Sequence, residues 1–108
     1  IKSLNSQSND IQLLGAFYQE RNLSFKPFYN IKNIISSFSD IKNNAYLYFA
    51  TVHRKISKKN KKSLIAFSPF DVISGKQNFE LDPGDIIRIY EVEEIDKLLS
   101  LILFLVSE

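Results

Sequence analysis

The sequence has no cysteine, one histidine, three glycines and three prolines in 108 residues. Without cysteine there can be no disulfide and no thiolate metal site. That absence fits either the cytosol or the periplasm. His53 alone cannot build an imidazole metal cluster. Gly15, Gly75 and Gly84 lie far apart, so no glycine-rich phosphate cradle exists. No serine stands in a nucleophile-elbow pattern. The formal net charge of +2 is too small to imply nucleic acid by itself. The longest apolar run, Leu98 to Val106, is interrupted by Ser100 and falls well short of the roughly 20 residues that span a bilayer. No secretory signal stands at the start, but the first residue is Ile1 and not methionine. The chain therefore reads as an excised fragment from which a signal peptide could have been removed.

What is present suits one small folded domain: 44% apolar residues and 24% charged residues. Residues 1–10 are polar and read as a linker or lead-in. Ile11-Gln12-Leu13-Leu14-Gly15-Ala16-Phe17-Tyr18 suits a strand, with Gly15 marking a bulge or a close backbone approach. A turn over Gln19 to Asn22 leads to a second short strand in which Leu23, Phe25 and Pro27 alternate with polar residues. Asn30 then caps a helix expected over Ile31 to Phe38. There Ile31, Ile34, Ile35 and Phe38 form one apolar stripe, and Lys32, Ser36 and Ser37 face water.

After a polar break, Ala45 to Arg54 is an aromatic and β-branched run that reads as a long strand. A lysine-rich loop, Lys55 to Lys62, joins it to a strand at Ser63 to Phe67. Ser68-Pro69-Phe70-Asp71 carries helix-start chemistry and Gly75 supplies the stop, giving a helix of about two turns. Leu81-Asp82-Pro83-Gly84-Asp85 is a turn, with Pro83 and Gly84 at the central positions of type II. The strand Ile86 to Val92 follows, then a terminal helix from Glu93 with Ile95, Leu98, Leu99 and Ile102 on one side. Leu103 to Val106 reads as the last turns of that helix or the first strand of a following module. The order is hairpin, helix, hairpin, short helix, strand, helix. It predicts an α+β fold of the β-grasp type (a ubiquitin-like roll), with a mixed sheet of four to five strands on one main helix, a short helix and a C-terminal helix.

Chemistry-bearing groups are sparse. Asp82 and Asp85 flank Pro83-Gly84. One turn offers too few oxygens for a calcium cage, so Asp82, Pro83, Gly84 and Asp85 are assigned a structural turn role. Arg54, Lys55, Lys58, Lys59, Lys61 and Lys62 concentrate positive charge. Such a loop is either a contact for a polyanion or a solvated hairpin tip whose lysines discourage edge pairing. Nine phenylalanines and five tyrosines supply rings, most of which belong in a core. Strand alternation puts Tyr46, Tyr48 and Ala50 on one side and Leu47, Phe49 and Thr51 on the other. Tyr46 and Tyr48 are therefore the candidates for stacking on sugar rings, with Arg54 and Lys55 as further ligand-binding candidates.

Three segments together resemble the soluble-ligand-binding β-grasp family of bacterial polysaccharide-export proteins. They are Ile11-Gln12-Leu13-Leu14-Gly15-Ala16, then Asn44-Ala45-Tyr46-Leu47 through His53-Arg54, and then Leu64 to Ser68 leading into Leu81-Asp82-Pro83-Gly84-Asp85-Ile86-Ile87-Arg88-Ile89. Two positions depart from that pattern. Arg21-Asn22 stands where the family has Pro-Gly, and Ser39-Asp40 stands where it has Gly-Gly. Any ligand contact through bare backbone there would be lost.

The resemblance implies a β-grasp domain over 11–92, with 93–108 a C-terminal helix or the start of a following module. It also implies a periplasmic, outer-membrane-associated setting and a non-catalytic role in assembling or lining an export path. Polysaccharide, an inner-membrane partner of the synthesis machinery and further copies of the chain are the implied partners. No cofactor, metal or nucleic acid is expected. The alternative is a module that binds nucleic acid or another anionic surface through Lys55 to Lys62.

Overall fold

The computed structural model describes residues 9–56 and 61–107. Five strands form one mixed sheet: β1 (Ile11–Gly15), β2 (Arg21–Leu23), β3 (Ala45–Ile56), β4 (Lys61–Phe67) and β5 (Ile86–Glu91). Their order across the sheet is β2-β1-β5-β3-β4. β1 and β5 run parallel at the centre, and the two hairpins and the β3–β5 pair are antiparallel. This is the β-grasp order: the last strand slots between the two hairpins. Three helices complete the α+β fold: α1 (Ile31–Ile34), α2 (Pro69–Ile73) and α3 (Val92–Val106).

The parallel β1–β5 contact depends on Gly15. Its φ is +88°, and a Cβ there would collide with the carbonyl oxygen of Ile89. Only glycine permits both the left-handed backbone and the approach. The Ala16 amide then donates to that same Ile89 carbonyl at 2.9 Å.

The first helix is shorter than its apolar stripe predicts. Asn30 caps it as expected, accepting from the Asn33 amide. The helix nevertheless stops at Ile34, and a separate 3-10 turn forms at Phe38–Asp40. The cause is local. The amides of Ser36 and Ser37 donate to the Asp40 carboxylate at 2.9 and 3.1 Å, offering the backbone an alternative to helix. Ile31, Ile34 and Ile35 still reach the core, but Phe38 is left half exposed.

Lys32 also departs from the water-facing position expected of it. Its Nζ donates to the carbonyls of Val72 and Ile73, both at 2.8 Å, which closes the C-terminal end of α2. The second strand is Arg21–Leu23, so Phe25 and Pro27 lie beyond it. α2 begins as predicted: Ser68 accepts from the Asp71 amide and Pro69 occupies the first turn.

The core gathers Ile11 and Leu13 of β1, Ile31, Ile34 and Ile35 at α1, Ala50 and Val52 of β3, Val72 of α2, and Ile87 and Ile89 of β5. Ile87 and Ile89 face inward as the alternation of β5 requires. α3 covers Leu103 to Val106 as helix.

Candidate functional site

Four arrangements of chemistry-bearing side chains emerge. The first ties β3 to the turn before β5. Asp85 is fully buried. Its Oδ1 accepts from Arg54 Nε at 3.1 Å, and its Oδ2 accepts from Arg54 Nη2 at 2.9 Å and from the Asp82 amide at 2.8 Å. Arg54 Nη2 also donates to the Glu80 carbonyl at 3.1 Å, and Asp82 Oδ2 lies 3.3 Å from Nε. The hydrogen bond to Asp85 holds the guanidinium pKa above its ordinary value, against the opposing pull of partial burial. A forked donor matched to a buried carboxylate is a rigid unit.

Gly84, with φ +83°, completes the turn. The Asp85 amide returns to the Asp82 carbonyl at 3.1 Å. These bonds hold the turn Asp82, Pro83, Gly84 and Asp85 together. Arg54, expected to reach a ligand, is instead committed to holding that turn. The reason is the carboxylate of Asp85, which lies 31 positions away in sequence and opposite Arg54 in space.

The second arrangement is a row of rings. Tyr46 and Tyr48 sit edge to face with centroids 5.8 Å apart. Tyr48 lies 5.8 Å from Phe70 of α2, and Phe70 lies 6.2 Å from Phe38 of the 3-10 turn. Tyr48 is 62% exposed and Phe38 is 51% exposed, while Tyr46 and Phe70 are half-buried.

The alternation expected along β3 is kept: Tyr46 and Tyr48 meet on one side, and Phe49 and Thr51 both meet Tyr90 on the other. The pairing with β5 shifts register between Ala45 and Ala50, and Ala50 and Thr51 are both buried. Phe49 points elsewhere and stacks on Tyr90 at 5.9 Å. Tyr90 in turn lies under the Arg88 guanidinium and has its hydroxyl 3.1 Å from the Thr51 hydroxyl.

Phe38 and Phe70 were missed as site residues. The Ser36-Ser37 pair is a signal that the helix stops before Phe38. Nothing local marks Phe70.

The third arrangement is basic. Lys55 stands directly opposite Lys62, and Ile56 opposite Lys61, at the end of the β3–β4 hairpin. All four are exposed. Lys58 and Lys59 lie outside the described residues.

The fourth is the outer part of α3. Leu98, Leu99 and every residue from Leu101 to Val106 are exposed; of the apolar side Ile95, Leu98, Leu99 and Ile102, Ile95 is buried and the other three are exposed. No described helix is long and apolar enough to cross a membrane.

A cavity of about 130 Å³ lies beside the first hairpin, lined in part by Phe17, Tyr18, Arg21, Ile34, Ser39 and Asp40. It is smaller than the few hundred Å³ usual for sites that enclose an organic ligand.

No family model matches this chain, and no curated protein matches it significantly.

Proposed function

We propose that the chain is a non-catalytic binding and structural domain of a bacterial polysaccharide-export protein, acting in the assembly or lining of the export path. One observation carries the reading. Two of the segments that resemble the soluble-ligand-binding β-grasp family, Ala45 to Arg54 and Leu81 to Ile89, lie side by side in the sheet as β3 and β5, joined by the Arg54–Asp85 pair. Their resemblance therefore corresponds to a spatial unit and not to scattered short matches. The sheet order supports the same reading. On it, the setting is periplasmic and outer-membrane associated, and the partners are polysaccharide, an inner-membrane synthesis protein and further copies of the chain.

The test is genetic. Removing 11–92 from the encoded protein should stop polysaccharide reaching the cell surface while its synthesis continues. Unchanged surface polysaccharide, or a full-length protein that stays in the cytosol, would sink the reading.

A second reading is favoured by the Lys55–Lys62 pair. Like charges placed directly across a strand pair are destabilising, and an anionic partner would relieve the repulsion. Replacing Lys55, Lys58, Lys59 and Lys62 by glutamine should then weaken retention on heparin and flatten its salt dependence. Retention that is unchanged by those substitutions removes it.

A further inference from the structure

We propose that the ring row Phe38–Phe70–Tyr48–Tyr46 is a binding strip for an uncharged stretch of glycan, each sugar lying with its apolar C–H face on a ring. The inference rests on the polysaccharide reading above and goes beyond it by naming a surface, a ligand chemistry and two residues, Phe38 and Phe70.

The physical case starts from cost. Four aromatic rings from three separate elements meet at the surface, and the two most exposed of them leave more than half their area in water. The core does not need them there, because Ala50, Val52, Val72, Ile87 and Ile89 already fill it. Contiguous exposed aromatic area marks a contact surface.

The chemistry of the strip then selects the occupant. Four rings make up the row, two of them carry hydroxyls, and successive rings are tilted at 42°, 42° and 81°, so they do not close into one flat stack. An aromatic face is electronegative and attracts the weakly positive C–H groups of a sugar ring. Phe38 is flanked in the chain by the exposed residues Ser36, Ser37 and Ser39, whose hydroxyls also bond Asp40 and one another, and Tyr46 is preceded by the exposed amides of Asn43 and Asn44. Hydroxyls and amides both donate and accept, which matches sugar hydroxyls. The nearby charges in the chain, Asp40, Lys42 and Asp71, carry no net positive charge, so no field selects for an anion. The rings follow one another at centroid spacings of 6.2, 5.8 and 5.8 Å, a partly exposed row that suits an extended chain more than a ligand that is enclosed.

Affinity electrophoresis of the full chain through gels containing hydroxyethyl cellulose or galactomannan tests the inference, with dextran sulfate as the charged control. The neutral glycans should retard the protein. Tyr48→Ala and Phe38→Ala should each weaken retardation roughly three- to tenfold. Tyr48→Phe should keep most of it, and Lys97→Gln, at an exposed position of α3, should leave it unchanged. Both alanine sites are exposed, and unchanged far-ultraviolet circular dichroism verifies the fold.

Absence of retardation in both neutral gels overturns the inference, as does retardation that the alanine variants do not alter. Retardation by dextran sulfate alone, or a Tyr48-dependent dimer seen by light scattering, overturns it as well. The two proposals fail separately. Tyr48-dependent glycan binding alongside export that survives removal of 11–92 would discard the export role and keep the strip. Export that needs 11–92 while neutral glycan is ignored would do the reverse.

Discussion

Arg54 near the end of β3 and Asp85 in the turn before β5 form a two-pronged ion pair, with Nε and Nη2 3.1 and 2.9 Å from the two carboxylate oxygens. The partners differ in one respect that decides how each responds to loss of the other. The Asp85 side chain is fully buried, whereas the Arg54 side chain keeps 21% exposure. An orphaned Arg54 can turn toward water; an orphaned Asp85 cannot. Arg54→Met should therefore lower unfolding free energy by about 3–5 kcal/mol, more than Asp85→Asn does. The double variant Arg54→Met with Asp85→Leu should cost less than Arg54→Met alone, because no unpaired charge remains. Urea unfolding of the four proteins checks this. Equal losses for the two single variants would mean that Asp85 has water or another partner to turn to.

Two glycines share a left-handed backbone but differ in surroundings. A Cβ at Gly15 meets the Ile89 carbonyl, while one at Gly75 meets nothing within 4 Å. Gly75→Ala should cost about 1–2 kcal/mol, the backbone penalty alone. Gly15→Ala should cost about 3 kcal/mol or more, since the β1–β5 contact must also move apart. Thermal unfolding of both variants gives the comparison, and similar losses would contradict the close approach.

Phe28 is a bulky residue with φ of +65° and is 85% exposed. Its side chain contributes little burial to offset the strain. Phe28→Gly should raise stability by about 0.5–1 kcal/mol, the left-handed penalty of roughly 1–2 kcal/mol less the entropy cost of glycine. Phe28→Ala keeps the strained backbone and should change little. A stabilising alanine and a neutral glycine would reverse the argument.

Glu94 accepts from the Glu91 amide at 2.9 Å and from Arg88 Nη2 at 2.8 Å. The backbone hydrogen bond is the main cause of a carboxyl pKa held below its ordinary value; Arg88 adds to the effect, and partial desolvation opposes it. In the unfolded chain the group titrates near the usual glutamate value of about 4.3. Its stabilising contribution is therefore complete above that pH and disappears as pH falls through the lower folded value. Glu94→Gln should flatten the acid limb of a stability–pH curve below about pH 5 without steepening the neutral region. An unchanged acid limb would show that Glu94 does not couple to folding.

The outer part of α3 makes an opposite kind of prediction. Ile102 and Leu105 are 46% and 63% exposed. Ile102→Asp with Leu105→Asp should shift unfolding free energy by less than about 1 kcal/mol. The same change should lower binding of a hydrophobic dye to the folded protein. A large loss of stability would mean that this face packs on the domain.

Much of the fold was legible in the residues themselves. The hairpin–helix–hairpin order, the Ser68-Pro69 helix start and the Pro83-Gly84 turn are local signals, set by periodicity, capping and backbone freedom over a few neighbouring positions. The sequence by itself also limited Gly15 to a bulge or a close backbone approach and placed Asp82 to Asp85 in a turn. Tertiary structure decided the rest, because the deciding partner is distant in the chain. Arg54 became a structural clamp through Asp85, and Lys32 became a helix cap through Val72 and Ile73. Helix α1 lost its last turn where the Asp40 carboxylate competed for the Ser36 and Ser37 amides. The ring row needed three elements to meet. Local patterns reveal what a segment prefers; which side chain meets which is settled by packing between segments, and the candidate site is made of such meetings.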